Sequence, residues 1–571
     1  MIKKAYFLEK NPNFENQLED IQSTLRDSLK NNPGRTRREV LKSLLAAGII
    51  TGEFGELLLK NALASQVMPT NKNNLQLDVP EPLRKIESVI ILGAGLAGLT
   101  AAYQLTRAGI PCELFESASR LGGRIFTRDR FNAEGMFCEL GGELIDSGHE
   151  DLLKLAADLG IAVDDLTLGE EGIETNHYFF GDNHYYPKQA LEAFRPLARV
   201  LLADMNACFV DPNVSVINYK SHTERAVYFD RMTLKEYLYS KKDVDRWILD
   251  LLNVAYLGEY GLDTDQQSAG NLFLMANPDL SHGFSIFGSS DESRRIHGGN
   301  SRLIEALAQA VGTRSKIHLE SELVKIEDTG NTIRLTLKGR NQTFTRSASQ
   351  VICTLPFTRL RQVEGLETLG LSPVKLRCIQ NLGYGLNSKH MLGFRERPWR
   401  KTQGTLPGST GYTFTDLPTQ VFWDSSRAQA GTSGIITNFV GGNASQMPEV
   451  SRPEILIKDL EKIYPKISSL YDANRSFFNW AKHPHTLGSY TCPRPGQLTT
   501  LIGSPAEPEL KGRLLFAGEH VSEVYQGYMN GAVQSANIAA QSIISRHRGE
   551  MTDRPTHFPT ATAQAASQSA R

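Results

Sequence analysis

The residues most capable of chemistry in this sequence are the glycines and the acid of one short region. It reads VIILGAGLAGLTAAYQLTRAG, starts at Val89, and is followed by CELFE, which ends at Glu116. Its glycine loop comprises Gly93, Ala94, Gly95, Leu96, Ala97 and Gly98. A loop with this spacing binds the pyrophosphate of a dinucleotide, because its glycines allow a tight turn, a close approach to the phosphates and close packing of the next helix. The acid after the second strand accepts the ribose hydroxyls.

The flanking sequence supplies the elements that must position this loop. The apolar, β-branched run ESVIIL at 87–92 predicts a strand buried on both faces. Residues 99–108 have helical spacing, and Gly109 is a suitable C-cap. The helix would direct its N-terminal N–H groups and the positive end of its dipole at the phosphates. A strand, glycine loop, helix and second strand in this order predict a Rossmann-like α/β domain.

The composition describes a soluble globular protein of more than one domain. The chain has 571 residues, 40% of them hydrophobic and 22% charged, with a formal net charge of -1. So small a net charge gives no overall field that would favour nucleic acid or an anionic membrane as a partner. The 6 cysteines include no C-x-x-C pair, and the 13 histidines show no metal-ligand spacing. We therefore expect buried thiols and no metal site.

Residues 1–64 resemble an export signal. Thr36–Lys42 (TRREVLK) resembles a twin-arginine motif, Val40–Leu59 its weakly apolar region and Ala62–Ala64 a cleavage site. An ordinary amphipathic helix is the alternative. Glycines and glutamates interrupt the apolar region, which makes it a poor membrane anchor. We expect the protein to be periplasmic or secreted. Residues 65–84, which are rich in proline and asparagine, are expected to form a linker.

Two further regions indicate which dinucleotide is bound. A second glycine–arginine turn follows the acid: Arg120, Gly123 and Arg124. Near the C-terminus come a predicted strand, a glycine–acid pair and the start of a helix: Leu514–Ala517, Gly518, Glu519 and Gly527. A nicotinamide enzyme needs no such additional turn, whereas a flavin protein must also hold the other end of a longer cofactor. The sequence therefore predicts FAD.

Together these pieces resemble the flavin amine oxidase family, which includes monoamine oxidases, polyamine oxidases and L-amino-acid oxidases. The resemblance covers residues 87–545. It rests on GAGLAG, the E-x-x-x-R-x-G-G-R run at 116–124, ELGGELID at 139–146, RIHGGNSRL at 295–303, VICTLPF at 351–357, Trp480 with GSY at 488–490, and FAGEH with GYMNGA. The resemblance implies an α/β fold in which a Rossmann-like, glutathione-reductase-type FAD domain is interleaved with a substrate domain of mixed sheet and helices.

The resemblance also implies a set of cofactor-binding residues. Glu116 would bind the adenosine ribose, Arg124 the phosphates and Leu323 the adenine through its backbone. Glu519 would lie near the ribityl and pyrophosphate groups, and Met529 near the pyrimidine edge of the flavin. The other positions assigned to the cofactor are Gly141, Gly142, Glu143, Gly518, Gly527, Tyr528 and Ala532.

The chain is expected to enter its FAD domain three times, at 85–155, 291–365 and 476–548. Between these segments, 156–290 is rich in helical periodicity and 366–475 is more strand-like, and together they would form the substrate domain. The tail at 549–571 has few bulky apolar residues and is predicted to be disordered.

The family reaction implies where the chemistry occurs. A hydride equivalent passes from the carbon that carries the amine to flavin N5, the imine hydrolyses, and oxygen reoxidises the flavin to give hydrogen peroxide. Tyr528 and Tyr490 match the aromatic positions beside the flavin, and Trp480 packs behind the ring. Trp423 and Phe422 are further substrate-pocket candidates, with simple core packing as the alternative.

The sequence departs from the family pattern at two places. L-amino-acid oxidases of the snake-venom type place an arginine shortly after a Leu-Gly pair to clamp the carboxylate, and Leu140–Leu144 (LGGEL) lacks it. A plain amine is therefore favoured as substrate, and Asp146 could attract a second cationic amine or act only as a cap. Many relatives also have a lysine that holds a water against flavin N5. None follows the LPF motif here, so Lys389 is the candidate.

The mode of cofactor attachment and the reaction class complete the prediction. Some relatives bond the flavin through a cysteine whose position is Gly488 here, so FAD is expected to be non-covalent. The favoured function is a secreted amine oxidase that uses O2. The alternatives are an L-amino-acid oxidase with an arginine from elsewhere, a flavin dehydrogenase or desaturase, and a non-catalytic flavoprotein. No nucleic acid is expected as partner, and a homodimer is left open.

Overall fold

The computed structural model describes residues 88–211, 216–312 and 314–549. The predicted export signal at 1–64, the linker at 65–84 and the predicted tail beyond Gly549 lie outside the described residues. Export of the protein therefore stays a prediction.

The described residues form strands and α-helices, several of which follow one another in runs of the same type. The strands are β1 (Val89–Leu92), β2 (Cys112–Phe115), β3 (Thr127–Arg128), β4 (Cys138–Glu139), β5 (Val163–Asp165), β6 (His177–Phe180), β7 (Asn183–Tyr185), β8 (Arg294–Ile296), β9 (Lys316–His318), β10 (Glu322–Asp328), β11 (Ile333–Lys338), β12 (Thr343–Ala348), β13 (Gln350–Cys353), β14 (Ser388–Phe394), β15 (Thr413–Thr415), β16 (Val421–Asp424), β17 (Gly434–Val440), β18 (Tyr471–Asn479) and β19 (Leu514–Phe516). The helices are α1 (Leu96–Arg107), α2 (Glu150–Asp158), α3 (Pro187–Cys208), α4 (Glu224–Asp230), α5 (Leu234–Tyr239), α6 (Arg246–Tyr260), α7 (Gly270–Met275), α8 (Ser301–Val311), α9 (Phe357–Leu360), α10 (Pro373–Asn381), α11 (Pro453–Ile463) and α12 (Met529–His547). Within the described ranges, no helix has both the length and the hydropathy to cross a membrane.

The first elements have the form that the glycine-loop sequence predicts. β1 is buried along its whole length, α1 starts inside the loop at Leu96, and β2 ends one residue before Glu116. β1 lies in the centre of a parallel sheet with the order β19–β13–β1–β2–β9. This sheet and the helices α1 and α12 share one apolar core, which includes Ile91, Leu99, Ile352, Leu515 and Val533. This single sheet thus contains both the first strand, which starts at residue 89, and the last strand, which ends at residue 516.

A second, seven-stranded sheet forms the other large layer. Its order is β18–β14–β17–β16–β15–β6–β7, and its neighbours are antiparallel except for the parallel pair β15–β6. The helices α3 to α7 lie in the 156–290 segment, where helical periodicity predicts them. The strands β6 and β7 lie there too, although the sequence predicts only helices in this segment. Strands of four and three residues are too short to show a clear period.

Candidate active site

One cavity of about 360 Å³ extends from the glycine loop to the seven-stranded sheet. Segments that are far apart in the sequence form its wall. The predicted site residues that line it are Gly93, Gly95, Leu96, Ala97, Glu116, Arg120, Gly123, Arg124, Gly141, Gly142, Glu143, Lys389, Trp423, Trp480, Tyr490, Gly518, Glu519, Gly527, Tyr528, Met529 and Ala532. The residues predicted to bind the cofactor and those predicted to bind the substrate therefore line the same cavity.

The three loop glycines have different structural roles. Gly93 has a φ of +95°, which only glycine adopts readily. A Cβ on Gly98 would lie 2.0 Å from the carbonyl oxygen of Gly93, so this glycine is needed for α1 to pack against the loop. A Cβ on Gly95 would have no protein atom nearer than the Cα of Gly123 at 3.7 Å. The protein fold itself does not require glycine at position 95, whereas a phosphate lying against the loop would.

Glu116 holds the loop and lines the cavity at the same time. One of its carboxylate oxygens accepts the N–H of Ala94 at 2.8 Å, and the other accepts the N–H of Ala118 at 2.8 Å. Ala94 itself is fully buried and lies behind the wall. A carboxylate has further lone pairs after these two bonds, so Glu116 can still accept from ribose hydroxyls.

The two arginines of the second glycine turn differ in what they bind. The guanidinium of Arg120 donates to the carbonyls of Leu121, Gly123 and Ile125, and so fixes the turn itself. The guanidinium of Arg124 instead donates to Glu519 at 2.8 Å and ties the turn to the loop that follows β19.

Glu519 connects three segments of the cavity wall. Besides the bond from Arg124, its other carboxylate oxygen accepts the hydroxyl of Thr491 at 2.8 Å and the N–H of Gly527 at 2.9 Å. Burial raises the pKa of Glu519, but the charges of Arg124 and His520 outweigh this effect, so the pKa lies below its ordinary value. The carboxylate is ionised and already bonded to protein. Its role is therefore to hold the wall together.

Two helices begin at this cavity, and neither has a side-chain cap at its first turn. α1 follows Gly95 and α12 begins at Met529. An uncapped helix N-terminus offers N–H donors and partial positive charge to an anionic group. One such helix lies at the phosphate-binding loop and the other at the predicted pyrimidine edge. The donor set therefore fits FAD, with its pyrophosphate at one end and its electron-accepting ring at the other.

Aromatic side chains form the end of the cavity opposite the glycine loop. The hydroxyl of Tyr490 donates to the carbonyl of Gly258 at 3.0 Å, and that of Tyr528 donates to the carboxylate of Glu259 at 2.9 Å. Burial raises the pKa of both phenols well above the ordinary value. The two rings are thus neutral and fixed in position. They form an apolar wall that can orient a substrate.

Trp480 is fixed behind the same region of the cavity. Its indole N–H donates to the carbonyl of Leu140 at 2.8 Å. A Cβ on Gly141 would lie only 3.0 Å from the Trp480 ring, so the glycine lets the ring pack against the backbone. Its position behind the flavin stays a prediction.

Lys389 lies in a buried charge cluster beside the cavity. Its ammonium donates to Glu143 at 2.9 Å and to the carbonyl of Gly141 at 2.8 Å, and the Lys389 and Glu143 side chains are only 6% and 3% exposed. Arg295 lies 3.7 Å from the same carboxylate, which also accepts the hydroxyl of Ser425. Burial raises the pKa of Glu143, but Lys389 and Arg295 outweigh this effect and the pKa falls below its ordinary value. Two cations therefore face one ionised carboxylate here.

Besides Ala94, four predicted residues do not line the cavity wall, and three of them are packed in the protein interior. Phe422 lies on β16 next to Trp423, and because side chains of a strand alternate between its faces, Phe422 packs into a separate core with Leu392 and Trp399. Leu323 is buried in β10, outside the wall. Gly98 also lies behind the wall, where it packs against the loop as predicted. The pocket prediction for Phe422 is therefore wrong.

Asp146 also lies away from the wall. Its carboxylate accepts the hydroxyl of Ser290 at 3.0 Å and the N–H of Glu292 at 2.9 Å, and lies 3.2 Å from His149. It does not line the substrate cavity, in contrast to the prediction that it attracts a second cationic amine, and its hydrogen bonds agree with the alternative, a structural role. It acts on that cavity indirectly, because it holds the backbone of Glu292 in place.

Two acids that the sequence analysis does not identify line the substrate end, Glu259 and Glu292. Burial raises the pKa of Glu259 to about 7, although the hydrogen bond from Tyr528 offsets part of the effect of burial. Burial and the charge of Glu259 raise the pKa of Glu292 to about 8. Trp423 lines the same end, and its indole N–H is buried without a hydrogen-bond partner among the described residues. An acid in the apolar run LLNVAYLGEYG is the one local signal that could have revealed Glu259.

Comparisons with known proteins agree with this geometry. A family model described as flavin containing amine oxidoreductase matches residues 96–544. The chain is 25% identical to a flavin-containing amine oxidase of Oncorhynchus mykiss over 470 residues, covering 80% of this chain and 85% of that protein. It is 24% identical to an L-amino-acid oxidase of Mus musculus over 479 residues, covering 80% and 71%.

Solved structures show the same fold. Cyclohexylamine oxidase from Brevibacterium oxydans superimposes with a TM-score of 0.68 at 20% identity and covers 81% of this chain and 100% of that one. A putrescine oxidase bound to putrescine superimposes with a TM-score of 0.63 at 20% identity and covers 80% and 99%.

Proposed function

Because the chain belongs to the flavin-containing amine oxidoreductase family, we propose that it oxidises a small amine that carries no carboxylate, with oxygen as the electron acceptor. When bound, FAD supplies the hydride acceptor and the reaction with oxygen. The protein must then hold a neutral amine in a fixed orientation and keep water out. The neutral rings of Tyr490 and Tyr528 provide the apolar wall for this purpose.

The charges of the cavity wall are the observation that favours an amine over an amino acid. An amino acid needs a cation for its carboxylate, and a bidentate arginine is the usual one. Arg120 donates to three backbone carbonyls, Arg124 is bonded to Glu519, and Lys389 is bonded to Glu143. The substrate end instead presents Glu259 and Glu292, which in their ionised form would repel a carboxylate.

Anaerobic reduction of the bound flavin tests this function directly. Cadaverine and L-lysine differ only in the carboxylate, as do phenylethylamine and L-phenylalanine. Above a pH of about 8, where both acids are ionised, we expect each amine to bleach the flavin absorbance at least about tenfold faster than its amino acid, because of charge repulsion at the substrate end. Faster bleaching by the amino acids would establish an L-amino-acid oxidase instead. If no compound in the panel bleaches the flavin, the oxidase function is lost.

We also propose that FAD is bound without a covalent link. The position of the attachment cysteine in some relatives is Gly488 here, and the nearby Cys492 is fully buried and does not line the cavity. Burial also raises the pKa of the Cys492 thiol, which makes it unreactive. Precipitation with acid should therefore release all yellow colour into the supernatant, as read by its absorbance. A yellow pellet would contradict the proposal.

A further inference from the structure

The loop that follows Trp480 places two histidines, His483 and His485, in the wall of the cavity. Nδ1 of His485 lies 2.9 Å from the hydroxyl oxygen of Ser117, so these two side chains share a hydrogen bond. The centroids of the two imidazole rings lie 5.5 Å apart. Because Ser117 directly follows Glu116, the hydrogen bond attaches this loop to the cofactor end of the cavity.

The other basic side chains of the cavity wall are already bonded to protein. FAD has an anionic pyrophosphate, and proteins bind such groups with helix N-termini and basic side chains. Arg120 donates to three backbone carbonyls. Arg124 is bonded to Glu519, and Lys389 is bonded to Glu143. Among the described residues of the wall, only the two histidines are basic and bonded to neither a carbonyl nor a carboxylate.

The hydrogen bonds of Ser117 determine which nitrogen of His485 carries the proton. The hydroxyl of Ser117 donates to the carboxylate of Glu116 at 3.3 Å, so its oxygen must accept the N–H of Nδ1 from His485. A neutral imidazole with its proton on Nδ1 has only a lone pair on Nε2, which repels a phosphate oxygen. The imidazolium carries a second N–H on Nε2 and can donate to that oxygen.

The surroundings of His485 favour the charged form of this ring and leave one nitrogen free. Nε2 has no hydrogen-bond partner among the described residues, and the half-buried ring remains accessible to protons. The charged and titratable groups around it are Glu116, which it reaches through Ser117, and His483 and Arg120. Burial and the charges of His485 and Arg120 lower the pKa of His483 to about 4, so His483 stays neutral near pH 7.

We propose that the imidazolium of His485 binds a phosphate oxygen of FAD and makes retention of the cofactor depend on pH. The chain from Glu116 through Ser117 to His485 orients the ring and supplies the negative charge that favours its protonation. This inference rests on the non-covalent FAD of the proposed function and is independent of the substrate. An enzyme that retains FAD in this way and oxidises no amine would end the proposed reaction and leave the inference intact.

The affinity for FAD as a function of pH tests the inference. A phosphate raises the pKa of the imidazole that binds it, so by linkage the protonated protein binds FAD more tightly. The affinity is then highest below the pKa of the free imidazole and falls as the pH rises through the pKa of the complex. We expect the Kd to increase at least about tenfold between about pH 6 and pH 8.5. The fluorescence of FAD released from diluted holoenzyme measures it, and a constant Kd would overturn the inference.

Variants at His485 locate the pH dependence in this residue. His485→Gln keeps a polar side chain that cannot take up a proton, so the Kd at pH 6 should rise about tenfold and its change with pH should fall below about threefold. His485→Lys keeps a positive charge throughout this range and should restore tight binding at pH 8.5. His297→Gln, at an exposed histidine bonded to Asp164, is the control and should change neither value. Tm confirms that each variant is folded.

Calorimetric titration with FAD in two buffers of different ionisation enthalpy counts the protons that are bound. Near pH 7 the wild type should take up more protons than His485→Gln, with a difference of up to about one. Glu259 and Glu292 ionise over the same range, but they are present in both proteins, so the comparison removes their contribution. Equal proton uptake, or a pH dependence of Kd that persists unchanged in His485→Gln, would assign this histidine a merely structural role and overturn the inference.

Discussion

Gly95→Ala should give a protein that folds normally and does not retain FAD. The new Cβ would have no protein atom closer than 3.7 Å, so the Tm of the apoprotein should stay within about 2 °C of the wild type. The same Cβ would occupy the space in which the backbone approaches the pyrophosphate. We therefore expect the Kd for FAD to rise about 10–100-fold. Quenching of FAD fluorescence on reconstitution measures it.

Gly98→Ala is the matched control for this experiment. It lies three positions along the same loop, but its Cβ would lie 2.0 Å from the carbonyl oxygen of Gly93 and would force α1 away from the loop. The apoprotein should therefore lose Tm and FAD binding together. Unchanged FAD affinity in Gly95→Ala would mean that the loop does not hold a pyrophosphate, and would remove the basis for the cofactor assignment.

Lys389→Met should slow the reaction of the reduced enzyme with oxygen by about 10–100-fold, because it removes a fixed positive charge from the cavity wall. It should leave anaerobic reduction by the amine within about threefold. Stopped-flow absorbance separates the two half-reactions. The variant also leaves the buried carboxylate of Glu143 with Arg295 as its remaining cation, so the loss of stability should stay below the about 3–5 kcal/mol of a fully unpaired buried charge.

A double variant separates the chemical effect from the structural one. Lys389→Met combined with Glu143→Gln removes both members of the buried pair, while the guanidinium of Arg295 loses its carboxylate but keeps its hydrogen bonds to the carbonyls of Ser425 and Arg427. The double variant should therefore regain part of the lost Tm while oxygen still reacts slowly. If reoxidation recovers together with Tm, Lys389 has only a structural role. If Lys389→Met reacts with oxygen at the wild-type rate, the assignment is wrong.

Local sequence patterns predicted the cofactor half of the fold well, because each of its parts is determined over a few residues. The run from Val89 to Glu116 contains a strand, a glycine loop, a helix and a second strand, and every one of these elements has a short-range cause. The hairpin of β6 and β7 was not predicted. Its attachment to the seven-stranded sheet depends on β15, which lies more than 200 residues further along the chain.

The substrate end was predicted less completely for the same reason. The motifs identified Tyr490 and Tyr528, but no local pattern connects Glu259 with Glu292, which only the tertiary fold brings to one cavity. The alternation of a strand could have excluded Phe422, because Trp423 next to it cannot face the same side. The missing arginine was visible in the sequence, yet the acids that occupy the substrate end required the structure.

The five-stranded parallel sheet has a consequence for how the protein is made. Its strands come from residues 89–115, 316–318, 350–353 and 514–516, and the last of them is joined to α12, which begins at the cavity. Contacts between such distant parts of a chain form slowly. A ribosome must therefore release almost the whole polypeptide before the final strand can dock. Until that moment the nascent chain has no complete pocket to capture its yellow prosthetic group, so chaperone protection during synthesis would matter more than flavin supply.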